Sequence, residues 1–137
     1  MKNLNIIFKN DLEELHRVSN GVEVFLEKKG IPDDTVFTVH LALEEMLSNV
    51  IKYAFKDFAC HDISLGISIE KKKLKITIED GGVEFNPLSV PEKKTDAPIH
   101  EREVGGLGIH LVKSMVQDMS YCRKNGKNHL EMVIRTT

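Results

Sequence analysis

The chain contains no tryptophan, two cysteines and four prolines. Two cysteines allow at most one internal disulfide, so a disulfide scaffold is excluded. Neither Cys60 nor Cys122 falls in a pattern with other ligands at metal spacing, and both read as reduced thiols of a cytosolic protein. Excess charge is also missing. Nineteen Lys and Arg against 21 Asp and Glu leave a net charge of −2, which argues against nucleic acid as the main partner. No apolar run approaches the roughly 20 residues that a membrane-spanning helix needs. The opening Met1-Lys2-Asn3-Leu4-Asn5 carries no signal-peptide pattern, so a cytoplasmic protein without a membrane partner is expected. Six scattered histidines show no ligand spacing.

What remains is ordinary globular material. The 137 residues are 41% hydrophobic and 29% charged, which suits one compact domain, here taken as 1–137. Leu4, Ile6, Ile7 and Phe8 suggest a short strand. Asn10 and Asp11 can cap a helix over 12–29, whose apolar positions Leu12, Leu15, Val18, Val22, Phe25 and Leu26 recur at helical spacing. Gly30 ends that helix. Pro32 suits a first helical turn, and Asp33 and Asp34 favour the start of a second helix reaching Phe55. Its stripe is Val36, Val39, Leu43, Leu47, Val50 and Ala54. Glu45 and Asn49 lie off that stripe, four residues apart, and so project side by side.

Two alternating strands follow, 62–70 and 74–78, with the lysine run 71–73 as their turn. Residues 83–104 have no period and hold three of the four prolines. A structureless loop of that length in a small domain is usually functional. Beyond it, Gly105-Gly106-Leu107-Gly108 opens a short helix, and Asn125-Gly126 joins a last pair of strands. Hairpins with few helices indicate an α+β domain, a two-layer sandwich of a mostly antiparallel mixed sheet with helices on one face.

Three segments can carry chemistry. The Glu45/Asn49 pair can hold a hydrated Mg²⁺ through the amide oxygen, while the carboxylate orients a water or takes a proton. Alone, it also reads as a solvated helix face. Asp80, at the end of a buried-looking strand, can accept from an exocyclic amine such as that of adenine, and Gly82 lets a flat ring approach the backbone. Alone, this is also an ordinary turn. Gly105, Gly106 and Gly108 at a helix start can expose N–H groups to phosphate, or form a hinge. No Gly-Lys-Ser/Thr follows, so this is no Walker A loop.

Taken together, the order and spacing resemble the GHKL ATPase family. Its E-x-x-x-N reads here as Glu45 to Asn49, its D-x-G as Asp80 to Gly82, and its G-x-G as Gly106 to Gly108. Within that family the chain is most similar to the anti-sigma factor serine/threonine kinases. Asp80-x-Gly82-x-x-Phe85-Asn86-Pro87 matches their D-x-G-x-x-F-[DN]-P, and Gly105-Gly106-Leu107-Gly108-Ile109-His110-Leu111-Val112 matches their G-G-L-G-[IL]-x-L-[IV]. Their last-strand phrase Asn-x-Leu-Thr reads Asn128-His129-Leu130-Glu131.

The resemblance implies the GHKL (Bergerat) ATP-binding fold with an ATP lid over about 83–104. It implies ATP and Mg²⁺ as cofactors, with Asn49 as metal ligand and Glu45 as general base. Asp80 would meet the adenine amine, with Gly82 beside the ring; Tyr53, Phe85, Gly105, Gly106, Leu107 and Gly108 complete the nucleotide site. The implied activity is phosphorylation of a serine on an anti-sigma factor antagonist, by a homodimer that also holds a sigma factor. The alternatives are a non-catalytic ATP-binding module acting by contact and a detached histidine kinase catalytic domain. No helix bearing a phosphorylatable histidine precedes the domain, which disfavours the latter.

Overall fold

The computed structural model describes residues 2–89 and 106–136. Five strands form one sheet in the order β1-β2-β3-β5-β4: β1 (Lys2–Lys9), β2 (Asp62–Glu70), β3 (Lys73–Asp80), β4 (Asp118–Lys124) and β5 (Lys127–Arg135). All four pairings are antiparallel, which narrows the expected mixed sheet. Three helices accompany it: α1 (Glu14–Lys28), α2 (Asp33–Tyr53) and α3 (Gly106–Met115).

Alternation sets the core. Ile63, Leu65 and Ile67 of β2, Leu74, Ile76 and Ile78 of β3, and Leu130, Met132 and Ile134 of β5 are buried on one face. Val18, Val22 and Leu26 of α1, the inner stripe of α2, and Ile109 and Val112 of α3 pack into the same cluster. Each such side chain contributes roughly 1.5–3 kcal/mol when fully buried. Among the described residues, no helix lies over the other sheet face. That face forms a concave surface of about 630 Å³ lined by residues such as Gly66, Thr77, Ser120 and Cys122, and Ile7 there is 65% exposed. Among the described residues, no helix is long and apolar enough to cross a membrane. Cys60 and Cys122 are both free and exposed.

Several ends follow from local chemistry. Gly30 has φ +71°, and the Ile31 N–H reaches the Leu26 carbonyl at 3.1 Å, the glycine-terminated helix end. Asn125 and Gly126 both have positive φ, as a tight two-residue hairpin turn requires. The lysine run turns at Lys71, with φ +55°, and β3 already begins at Lys73. The expected cap of α1 differs: Asp11 bonds the Glu13 N–H at 3.0 Å in a local turn, and the helix starts at Glu14. α2 ends at Tyr53 rather than Phe55.

Candidate functional site

The spine of the site is α2. Glu45, Asn49 and Tyr53 fall at i, i+4 and i+8, so they form one stripe about 12 Å long. Asn49 is 3% exposed, and its amide nitrogen donates to the Glu45 backbone carbonyl at 2.5 Å. That bond turns the amide oxygen away from the helix. A single amide oxygen suits Mg²⁺, which binds through few protein oxygens and keeps waters and phosphates as its other ligands. Among the described residues no group of three or more His, Cys, Asp or Glu could hold a metal ion by itself.

Gly108 packs directly on Glu45. A Cβ at position 108 would run into the Glu45 carboxylate. The first turn of α3 therefore meets the Glu45 end of the stripe, and its positive helix end favours anions there. Gly106 begins α3 and Leu107 follows it. Gly105 and residues 90–104 of the expected lid lie outside the described residues.

The Asp80 loop closes the other end. A Cβ on Gly82 would collide with the backbone carbonyl of Ala54, and the Val83 N–H donates to that carbonyl at 2.7 Å. Gly81 has nothing within 4 Å of an added Cβ, so only the second glycine of the pair is sterically required. Phe85 tilts against Tyr53, with ring centroids 5.8 Å apart and planes at 35°. Asn86 then caps a 3-10 turn at Pro87–Ser89: its carboxamide oxygen accepts from the Leu88 N–H at 2.9 Å, and Pro87 fills the first turn position.

Asp80 itself is 4% exposed. Its Oδ1 accepts from the Gly82 N–H at 2.8 Å and from the Asn128 amide nitrogen at 3.0 Å. Asn128, Tyr121 and Arg123 were not legible as site residues in the sequence. Asn128 is matched in the sequence only as the first residue of the last-strand family phrase, without a role, and it lies directly across from Asp80 in the β3–β5 register. Arg123 Nη1 donates to the Gly82 carbonyl at 2.8 Å. The Tyr121 phenol is held above its ordinary value of 10.0, first by burial and then by nearby Glu84, which keeps it a hydrogen-bond donor. Glu131 departs from the family phrase, but its side chain reaches Lys75 at 3.9 Å and lines the uncovered sheet face, away from the stripe.

The structure thus brings Glu45, Asn49, Tyr53, Asp80, Gly82, Phe85 and Gly108 around one helix, with acid and glycine helix start at one end and buried carboxylate and aromatic pair at the other. Comparison with known proteins identifies the family and the fold. Residues 8–134 match the histidine kinase-like ATPase domain. The serine/threonine-protein kinase BtrW of Bordetella bronchiseptica is 26% identical over 96 residues, covering 70% of this chain and 68% of that protein. The serine-protein kinase RsbW of Oceanobacillus iheyensis is 20% identical over 103 residues, covering 72% of this chain and 65% of its own length, just under two thirds. The fold is shared with the crystal structure of the RsbU and RsbW domains of a Mycobacterium tuberculosis protein, with TM-score 0.72 and 11% identity over 98% of this chain and 32% of that one. A profile match over nearly the whole chain, on a fold that assembles the matching motifs, means that this protein belongs to the histidine kinase-like ATPase domain family.

Proposed function

We propose that the chain is an ATP-dependent protein serine/threonine kinase that also acts as an anti-sigma factor, phosphorylating a serine on an anti-sigma factor antagonist. The observation that carries this reading is the α2 stripe: Glu45 meets the start of α3 at Gly108, Asn49 follows one turn on, and Tyr53 faces Phe85 beside the Asp80 loop. A nucleotide laid along it has its base at Asp80 beside Tyr53 and Phe85, its phosphates at Asn49, and its terminal phosphate next to Glu45 at the start of α3.

In this reading Asp80 accepts a hydrogen bond from the adenine amine, and Gly82, seated on the Ala54 carbonyl beside the ring, donates its N–H to that carboxylate. Phe85 and Tyr53 supply apolar surface beside the ring. The first turn of α3, with Gly106, Leu107 and Gly108, offers N–H groups to phosphate; Gly105 continues that run. Asn49 would hold Mg²⁺, whose charge neutralises the phosphates when bound. Glu45 takes the proton from the acceptor serine hydroxyl as it attacks. Phosphoryl transfer asks for little more than such positioning and charge.

The acceptor is a small antagonist protein, the regulated partner is a sigma factor, and both are met in the cytoplasm. The sheet face that no helix covers is the surface left for a second copy in a homodimer. The serine-kinase names of the relatives support the reaction class.

The test is direct. Purified protein, Mg²⁺ and ATP labelled on the terminal phosphate are mixed with a candidate antagonist and with its serine-to-alanine variant. Transfer to the first and not the second is expected. Tight ATP binding without transfer to any serine-bearing antagonist would sink the kinase reading in favour of a contact-only module.

A further inference from the structure

We infer that Asn128 is a positioning residue that sets the base preference of this cleft by holding the Asp80 carboxylate in one rotation. The inference rests on the nucleotide-binding reading above and concerns how that site chooses its base. Asn128 is 4% exposed. Both hydrogens of its amide nitrogen are committed, one to Asp80 Oδ1 at 3.0 Å and one to the Val83 carbonyl at 2.8 Å. Its amide oxygen faces the opposite way. It accepts from the Phe85 N–H at 3.2 Å, from Arg123 Nη1 at 3.1 Å and from the Tyr121 hydroxyl.

Reversing this amide would set its oxygen against a carboxylate and a carbonyl, and its NH₂ against three donors. Only one orientation satisfies the inventory of donors and acceptors. The Gly82 N–H adds a second bond to Asp80 Oδ1 at 2.8 Å. With Oδ1 held twice, by the loop after β3 and by Asn128 of β5, the carboxylate cannot turn, and Oδ2 is the oxygen offered to a ligand. An ionised carboxylate oxygen is an acceptor only. It matches the exocyclic amine of adenine and opposes the exocyclic carbonyl oxygen of guanine or hypoxanthine.

A carboxylate free to rotate could move aside or recruit a water to bridge a carbonyl. One fixed from behind cannot, and a buried acceptor facing another acceptor costs more than one lost hydrogen bond. Asn128 therefore acts through Asp80 without touching the base. Tyr121 and Arg123 serve the same end more weakly, by fixing the amide that fixes the acid.

The experiment is a calorimetric titration of the intact chain with ATP, GTP and ITP, each with Mg²⁺, for wild type, Asn128→Ser and Tyr121→Phe. ITP carries the carbonyl without the extra amine of GTP and isolates the group facing Asp80. Wild type should prefer ATP over both. Asn128→Ser should lose roughly 10- to 100-fold in ATP affinity, as for hydrogen bonds to a charged group, with a much smaller change for GTP and ITP, so that the preference collapses. Tyr121→Phe, which leaves both donors of Asn128 in place, should reduce the preference a few-fold while melting close to wild type. Equal losses for all three nucleotides would mean a merely structural role and would overturn the inference. So would a wild type that binds ITP as well as ATP. If Asn128→Ser does not fold, an unchanged ATP-to-ITP ratio in Tyr121→Phe overturns it alone. A wild type that binds no nucleotide at all removes the underlying site reading, and this inference falls with it.

Discussion

At the Asp80 end of the cleft, Asp80, Asn128, Tyr121 and Arg123 hold one another and the backbone of Gly82, Val83 and Phe85 through hydrogen bonds drawn from three adjacent strands. At the Glu45 end, the described contacts are one amide-to-carbonyl bond within α2, a Ser48 hydroxyl on the same carbonyl, and the packing of Gly108 on a carboxylate. The first end is a saturated polar network, which is rigid because each member is over-determined. The second end is a helix surface meeting a helix start. If the proposed function holds, base recognition is built into the sheet, whereas the reacting end is free to admit and release phosphate and acceptor.

The largest effect expected from this difference is at Glu45. Glu45→Gln keeps the size that packs on Gly108 but cannot take a proton, so label transfer should fall at least about 100-fold. ATP affinity by calorimetry should change only a few-fold; a comparable loss of binding would mean that the two ends are not separable. The two glycines give the next contrast. Gly82→Ala forces a methyl into the Ala54 backbone carbonyl and should lower unfolding stability by about 1–3 kcal/mol. Gly108→Ala meets only the far end of a side chain that can swing, so denaturant titration should register less than about 1 kcal/mol while transfer drops.

Asn49→Ala should remove the Mg²⁺-dependent part of ATP affinity, about tenfold or more, and leave metal-free binding close to wild type. Equal affinities with and without Mg²⁺ in the unmodified protein would remove Asn49 from the metal site. The smallest effect concerns alkaline pH. Tyr121 has its folded pKa raised above 10.0, by burial first. Its contribution is full below pH 10 and is lost as pH rises from there through the raised folded value. The stability gap between wild type and Tyr121→Phe, no more than about 1 kcal/mol at neutral pH, should therefore shrink above pH 10 in urea titrations. A gap that widens there would show that the phenol is not the donor to Asn128.

How much of this was readable in advance differs between the ends for a physical reason. Glu45 and Asn49 could be paired from the chain because helical spacing is local: four residues apart means one face. Asp80 and Gly82 were readable because a strand of alternating apolar residues ends on them. The helices and hairpins followed from the same periodicities, with Asn125-Gly126 and Gly30 marking their ends. Asn128 could not be read, since its partner lies 48 residues away and only the β3–β5 register brings them together. The side taken by Glu131 is a local matter instead: alternation along β5 carries it to the opposite face from Asn128. The packing of Gly108 on Glu45 joins α2 to α3 with β2 and β3 between them in the chain, and no spacing rule reaches that far. That the sheet is antiparallel throughout also depends on strand order, which pattern alone leaves open.

Gly81 carries a practical consequence. It sits between the buried acid and Gly82, which space does demand, yet an added Cβ at position 81 meets nothing within 4 Å. It is a position where the protein can be given a new side chain beside Asp80 without disturbing the wall behind it. A single environment-sensitive dye attached at position 81, with both natural cysteines replaced, would turn the chain into an optical sensor of its own occupancy, reporting in real time when the cleft fills and empties.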